Sequence, residues 1–165
     1  MAGFNAILLW LHVFSAASWF GAVMLFAMVV GPTIGDFTAP TSGEVVVKML
    51  PRILVYLTVF TGLTPILGLA TALSSSGGLA ALAPNSTFGD YMTAGALLSL
   101  VTWIIFFAVG YPTGKKIIRI TEEAMKTQAP QPQTLAPLAM RLKISSGIGL
   151  ALLIAILICM VAAAS

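Results

Sequence analysis

The chain has 165 residues, of which 59% are hydrophobic and 8% charged, whereas soluble domains carry about 25% charged residues. A water-soluble core of this length cannot bury so much apolar surface, so the composition predicts a single membrane domain over residues 1–165 and excludes a second domain. The one cysteine excludes an intrachain disulfide, and the long first apolar stretch, with no Lys or Arg before it, argues against a cleavable signal peptide.

Four apolar runs dominate the chain. A helix needs about 20 apolar residues to cross a hydrocarbon core of about 30 Å. Runs of that length lie at roughly 4–30, 51–73, 90–111 and 138–164. Because backbone polar groups in lipid must be satisfied within the segment, these runs predict an all-α integral membrane four-helix bundle, up-down-up-down. A kink is expected at Pro65, and no sequence repeat is recognised.

The connections predict the orientation. The basic residues flank the first connection and the third, whereas the loop at 74–89 has no charge. Residues 113–137 are expected to form a cytoplasmic loop, with an amphipathic stretch from Lys115 to Lys126 followed by a Pro/Gln linker. Since cytoplasmic loops hold the Lys/Arg excess, both termini are expected outside, in the plasma membrane of a prokaryote. The net charge of +3 is thus a topology signal and predicts no nucleic-acid partner.

His12 is the candidate functional residue of the first helix. It lies about two turns, roughly 10 Å, into that helix from the outer end. Ionisable residues inside a span are costly and often functional, and a neutral imidazole can bind haem iron, copper or zinc. The alternative is a structural histidine that is hydrogen-bonded to a hydroxyl, such as Ser15 or a threonine on another helix.

Second ligands are sought at the same depth. Met92, Met160 and Cys159 all fall in the outer third of the predicted bilayer. A His/Met pair can hold haem iron, and thioether and thiolate with imidazole suit Cu(I). These methionines can equally fill gaps in an apolar core. One histidine excludes a bis-histidine haem or a three-histidine zinc site within a single chain, and Trp19 is a candidate wall for a flat cofactor.

The first helix resembles that of a known superfamily. His12 is followed by Trp19-Phe20-Gly21 and the helix ends at Gly31-Pro32, a pattern similar to the copper-resistance D-like membrane proteins and to HemJ-type protoporphyrinogen oxidases. The resemblance implies a four-helix fold with a cofactor or metal at His12. The third helix begins Asp90-Tyr91-Met92-Thr93, without the lysine that HemJ-type enzymes use there, so porphyrinogen oxidation is not expected.

Three functions remain open from the sequence. The first is a small redox protein that binds a b-type haem through His12 and transfers electrons within a membrane complex. The second is copper binding or transport through His12, Met92, Met160 and Cys159. The third is a cofactor-free accessory subunit. Small residues at four-residue spacing, Gly147, Ala151 and Ala155, allow close helix packing inside the chain, in a homodimer or against a membrane partner. The lipid bilayer is a partner in every case.

Overall fold

The computed structural model describes residues 2–74, 78, 80, 86–128 and 132–164. All long elements among these residues are helical. In chain order they are α1 (Ala2–Leu25), the π-helical segment π1 (Phe26–Val30), α2 (Gly31–Asp36), α3 (Ala39–Ser74), α4 (Thr87–Ile105), the π-helical segment π2 (Phe106–Gly110), α5 (Tyr111–Thr127) and α6 (Leu135–Ala164).

Four continuous helical runs are long and apolar enough to cross a membrane. They are Phe4–Asp36, Ala39–Ser74, Thr87–Thr127 and Leu135–Ala163. Many large apolar side chains remain exposed along them, as lipid-facing residues must. The predicted all-α membrane four-helix bundle is confirmed.

The expected ends of the first and third helices are wrong. Both were placed just before a proline, but helix continues through Pro32 to Asp36 and through Pro112 to Thr127. A proline lacks the amide hydrogen for the bond to residue i−4, and its ring crowds that carbonyl. Each proline here follows a π-helical segment, in which the amide of the residue before it bonds five residues back, Gly31 to Phe26 and Tyr111 to Phe106. This wider turn lets the helix pass the proline.

The second and fourth helices also begin earlier than expected. α3 starts at Ala39 rather than near 51, after the extended residue Phe37, and the backbone N–H of Ser42 donates to the carbonyl of Thr38 over 2.9 Å. Pro40 fits there because the first turn of a helix needs no amide donor. α3 continues as helix through Pro65, and the kink at that residue stays a prediction.

Most of the expected cytoplasmic loop is helical. The amphipathic stretch expected within the loop at 113–137 is part of α5, which covers residues 113–127, whereas residues 135–137, expected in the Pro/Gln linker, belong to α6. α5 ends at Thr127 and is capped by Gln128, a left-handed residue with a φ of 51° whose backbone N–H donates to the carbonyls of Ala124 and Met125. Residues 129–131 of the expected linker lie outside the described residues. At the other loop, Ser86 caps α4 by accepting the amide of Gly89 at 3.1 Å.

The two π-helical segments lie in similar local sequences. Phe26, Val29 and Pro32-Thr33 in the first run have counterparts at the same chain separation in the third run, Phe106, Val109 and Pro112-Thr113. The expectation of no recognisable sequence repeat stays a prediction.

The described chain divides into two compact units. One comprises Met1–Gly21, Val59–Trp103 and Ala151–Ser165, and the other comprises Ala22–Thr58 and Ile104–Leu150. The second unit has an apolar core of Val46, Leu50, Leu54 and Ile117. Gly114 allows α5 to approach α3 there, because a Cβ atom at that position would lie 3.0 Å from Cδ1 of Leu54.

Charges in the second unit pair within single helices. The described ion pairs are Lys48–Glu44, Arg119–Glu123 and Lys126–Glu122, at 2.8, 3.9 and 2.8 Å, all exposed and all with i,i+4 spacing. Such pairs contribute only about 0.3–0.5 kcal/mol each. They support the exposed polar faces of α3 and α5, and the amphipathic helix expected from Lys115 to Lys126 is confirmed as helix.

Candidate functional site

His12 lies in the first unit, where α1 meets α3. Its Nδ1 atom is 3.0 Å from the backbone carbonyl oxygen of Thr64. A carbonyl oxygen only accepts hydrogen bonds, so the imidazole nitrogen that faces it carries the hydrogen and donates it. In the neutral ring the other nitrogen, Nε2, then has a free lone pair. This is the tautomer in which an imidazole binds a metal through Nε2 with its ring oriented from the far side.

Gly68 gives the imidazole its place against α3. A Cβ atom at residue 68 would lie 2.9 Å from Cε1 of His12 and 3.2 Å from its Nδ1. A contact of 2.9 Å is essentially never seen at a real Cβ atom, so a larger residue at position 68 would require the ring to shift. The hydrogen bond to Thr64 and the contact with Gly68, one turn further along α3, together fix the position of the ring.

Ser15 and Thr64 form a second contact between the same helices. The two hydroxyl oxygens are 2.8 Å apart, and Ser15 is 0% exposed. Thr64 donates its only hydroxyl hydrogen to the carbonyl of Phe60 over 2.7 Å. Ser15 must therefore be the donor to Thr64. The chain of bonds runs from Ser15 through Thr64 to Phe60, and the carbonyl of Thr64 simultaneously receives His12.

Further contacts join α1 and α3 closer to the start of α1. The side-chain amide of Asn5 donates to the carbonyl of Ser74 over 2.8 Å. Phe14 stacks on Trp10 with centroids 5.6 Å apart and meets the edge of Phe60 at 6.3 Å. Polar contacts thus connect α1 and α3 at two levels, and in a span they replace the hydrophobic association that operates in water.

Trp19 packs inside the protein. Only 2% of its surface is exposed, compared with 38% for Trp103. It lies one turn beyond Ser15 on the same face of α1. An indole buried to this degree is packed among protein atoms, and the role of Trp19 as a wall for a flat cofactor stays a prediction.

The predicted sulfur ligands lie on α4 and α6. Met92, Met160 and Cys159 are all half-buried. A Cβ atom at Gly95 would lie 3.6 Å from Cβ of Cys159, so the two helices touch at that point. Met92 is one turn before Gly95 and Met160 follows Cys159. The structure thus brings together the segments that carry these residues.

Met92 has a defined relation to His12 along the chain. The separation from His12 to Met92 equals the separation from Pro32 to Pro112 and from Phe26 to Phe106. In the register of these shared residues, Met92 is the counterpart of His12.

The donor set is narrow. Among the residues that the structure describes, no group of three or more His, Cys, Asp or Glu side chains is close enough to hold a metal ion. A closed structural site such as that of zinc is thus not formed by them. The structure shows one oriented imidazole on α1 and, separately, two thioethers and a thiol on α4 and α6, and these are ligand types that suit haem iron or Cu(I).

Sequence reasoning identified His12 but missed Gly68 and the role of the Thr64 backbone. The signal for both was the pattern Thr64-Pro65 followed by Gly68 in the middle of an apolar run. The predicted alternative, a hydrogen bond from His12 to a neighbouring hydroxyl, is corrected in its detail, because the acceptor is the carbonyl of Thr64 and its hydroxyl is used by Ser15.

The fold and these contacts define an integral membrane protein with a polar helix contact centred on a histidine. Comparison of the chain with protein-family models, with curated proteins and with solved structures finds no match. The resemblance to the copper-resistance D-like and HemJ-type proteins stays a prediction, and function is argued below from the residues themselves.

Proposed function

We propose that the protein is a small membrane redox protein that binds a b-type haem through Nε2 of His12 and passes electrons within a membrane complex. The observation that carries the proposal is the bond from Nδ1 of His12 to the carbonyl of Thr64, at 3.0 Å. A histidine that needed only a structural hydrogen bond has met that need at Nδ1. Its second nitrogen keeps a lone pair, which is the group that an axial haem ligand must present.

Rigid orientation of the ring supports the same proposal. Metal-binding histidines commonly donate their other ring nitrogen to a carbonyl or carboxylate, which fixes both tautomer and ring plane. Here Thr64 accepts that hydrogen while Gly68 leaves room for the ring. A bound haem would supply one-electron transfer, and the protein's part would be to hold the iron through His12 and to set its potential through the second ligand.

Met92 is our candidate for that second ligand. It is half-buried and corresponds to His12 in the register of the shared residues. Two equivalent positions on two helices that run in the same direction lie at equal depth when the bundle alternates up and down. Histidine and methionine together are a known ligand pair of haem iron, and Met92 beside His12 would raise the reduction potential of the haem.

A reduced-minus-oxidised absorption spectrum of the detergent-purified protein tests the haem proposal. We expect Soret and α bands with about one haem per chain, and their loss in His12→Ala. Asn5→Ala is the matched control, because it removes another polar contact between α1 and α3 and should keep the bands. A flat spectrum from folded wild-type protein, after expression with ample haem, overturns the proposal.

Copper binding is the second candidate, and the contact between Gly95 and Cys159 favours it. That contact brings the α4 segment bearing Met92 to the α6 segment bearing Cys159 and Met160. Thiolate and thioether are the ligands that Cu(I) prefers. With His12 they would form a mixed site for transport or storage of copper.

Metal analysis of the same sample separates the two candidates. Copper at one ion per chain, without a Soret band and lost in both His12→Ala and Met160→Leu, supports copper handling and rejects the haem proposal. A colourless protein without metal rejects both candidates. If that protein also co-purified with other membrane subunits, and His12→Ala still assembled, the accessory-subunit alternative would stand.

A further inference from the structure

Thr61 differs from its neighbours on α3. Thr58, Thr64 and Thr71 each turn the hydroxyl back to the carbonyl four residues earlier, at 2.7, 2.7 and 2.8 Å. Thr61 is 0% exposed, and its hydroxyl has no hydrogen-bond partner among the residues that the structure describes. A buried hydroxyl without a partner costs about 1–3 kcal/mol, so native proteins rarely leave one unsatisfied.

The backbone carbonyl of Thr61 also lacks the hydrogen-bond donor that it would have in a regular helix. In a regular helix its carbonyl would accept the amide four residues later, but that residue is Pro65, which has no amide hydrogen. One residue thus presents both a hydroxyl and a carbonyl that the regular helix pattern does not satisfy. Prolines within membrane helices are tolerated where side chains or ordered water serve the freed group.

The surroundings of Thr61 belong to the protein interior. Thr61 is one turn before Thr64 on the same face of α3, and Thr64 meets Ser15. Because α1 and α3 are antiparallel, with Asn5 beside Ser74 and Ser15 beside Thr64, Trp19 lies level with the Thr61 turn. Ser15, Trp19 and Thr61 are all buried, so this face of α3 lies inside the protein.

We propose that Thr61 is the binding site of a buried water molecule within the membrane-spanning part of the protein. The water would exchange hydrogen bonds with the hydroxyl of Thr61 and donate to its carbonyl. Buried waters typically make about 3 hydrogen bonds, with a range of about 2–4, to otherwise unsatisfied groups, and the hydroxyl and carbonyl of Thr61 supply two of them.

The proposal is independent of any cofactor at His12. The water site lies one turn of α3 before Thr64, whereas His12 contacts Gly68 one turn after it. The proposal predicts that polar groups line one face of α3 from His12 past Thr64 to Thr61. The polar layer between α1 and α3 is thereby longer than the bonds between protein atoms alone indicate.

Two measurements test the water site. Thr61→Val keeps the shape of the side chain and removes the hydroxyl, whereas Thr61→Ser keeps the hydroxyl. With a bound water we expect Thr61→Val to lower the melting temperature in detergent and Thr61→Ser to stay closer to wild type. Thr71→Val is the control, because the hydroxyl of Thr71 is satisfied within its own helix. A Thr61→Val protein that melts at or above the wild-type temperature overturns the proposal.

An experimental structure at a resolution that shows ordered water gives the direct answer. We expect a density peak about 2.6–3.2 Å from Oγ1 of Thr61, absent in Thr61→Val. A Thr61 hydroxyl enclosed by apolar atoms alone, or turned back to the carbonyl of Leu57, overturns the proposal.

Discussion

The imidazole of His12 packs so closely on Gly68 that a Cβ atom at residue 68 would lie 2.9 Å from its Cε1 atom. The position of the imidazole ring therefore depends on residues of α3 as well as on α1. A methyl group added at residue 68 must displace the imidazole, and with it the bond to the carbonyl of Thr64. This relationship offers a way to disturb His12 without altering it.

Gly68→Ala should destabilise the protein by about 1–3 kcal/mol, the usual cost of overpacking, and should reduce bound cofactor if His12 is its ligand. Gly62→Ala is the matched control, since a Cβ atom there meets nothing within 4 Å. Alanine in an open helix position should be neutral or stabilise by about 0.5–1 kcal/mol. Thermal unfolding in detergent and haem content provide the two readings. Equal behaviour of the two variants would contradict the steric argument.

The direction of the Ser15–Thr64 hydrogen bond predicts that removing the acceptor and removing the donor destabilise the protein by different amounts. Thr64→Val leaves the hydroxyl of Ser15 buried without its acceptor, whereas Ser15→Ala leaves Thr64 still donating to Phe60. We expect Thr64→Val to be the more destabilising change, by about 1 kcal/mol. A double-mutant cycle in detergent should give a coupling of about 0.6 kcal/mol, typical of such pairs in membranes. A larger loss in Ser15→Ala would reverse the assigned direction.

The register of the shared residues predicts that Met92 and Met160 are not equivalent. If haem binds with Met92 as second ligand, Met92→Leu should change the α band and lower the reduction potential, because thioether ligation raises it. Met160→Leu keeps the apolar volume of its site and should leave both unchanged. Potentiometric titration of the two variants measures the difference. An effect confined to Met160→Leu would identify Met160 on α6 as the second ligand instead of Met92.

Gly114 and Leu54 predict a steric coupling in the second unit. A Cβ atom at Gly114 would lie 3.0 and 3.1 Å from the two terminal methyl groups of Leu54. Gly114→Ala should cost about 1–3 kcal/mol through overpacking, and Leu54→Val should cost about 0.8 kcal/mol for one methylene group. Together they should cost less than the sum of the two changes, because the smaller side chain makes room. Strict additivity in thermal unfolding would show that α5 can shift away freely.

The orientation in the membrane can be tested by cysteine labelling. In a Cys159→Ala background, an impermeant maleimide should modify Ser86→Cys on intact cells, because the uncharged loop is predicted outside. Lys116→Cys on α5 should react only after permeabilisation. Both positions are exposed, so access is decided by the side of the membrane. The opposite pattern would invert the predicted topology.

The four spans were predictable because long apolar runs have few alternatives in a chain with so little charge. The helix ends were less predictable. Pro32 and Pro112 are ordinarily stop signals, but a π-helical turn before each allows the helix to continue. That turn has no sequence signature of its own in a single sequence, so the third helical run was predicted to end at its proline.

The site was predictable only in its central residue. His12 stands out because it is the single histidine and lies within a span. Its partner is a backbone carbonyl, and every residue of α3 has one, so composition cannot indicate that Thr64 is the acceptor. The contact with Gly68 depends on how α1 and α3 align, which emerges only when the helices are packed.

The arrangement of ion pairs in the second unit determines its response to salt. Each described pair joins two residues of the same helix, Lys48 to Glu44 on α3 and the others on α5. Added salt therefore weakens ion pairs within a helix. It does not weaken the contact between α5 and α3 at Gly114 and Leu54, which depends on steric fit. The assembled bundle should consequently tolerate washes at high ionic strength, and detergents that compete for apolar surface should be what loosens it.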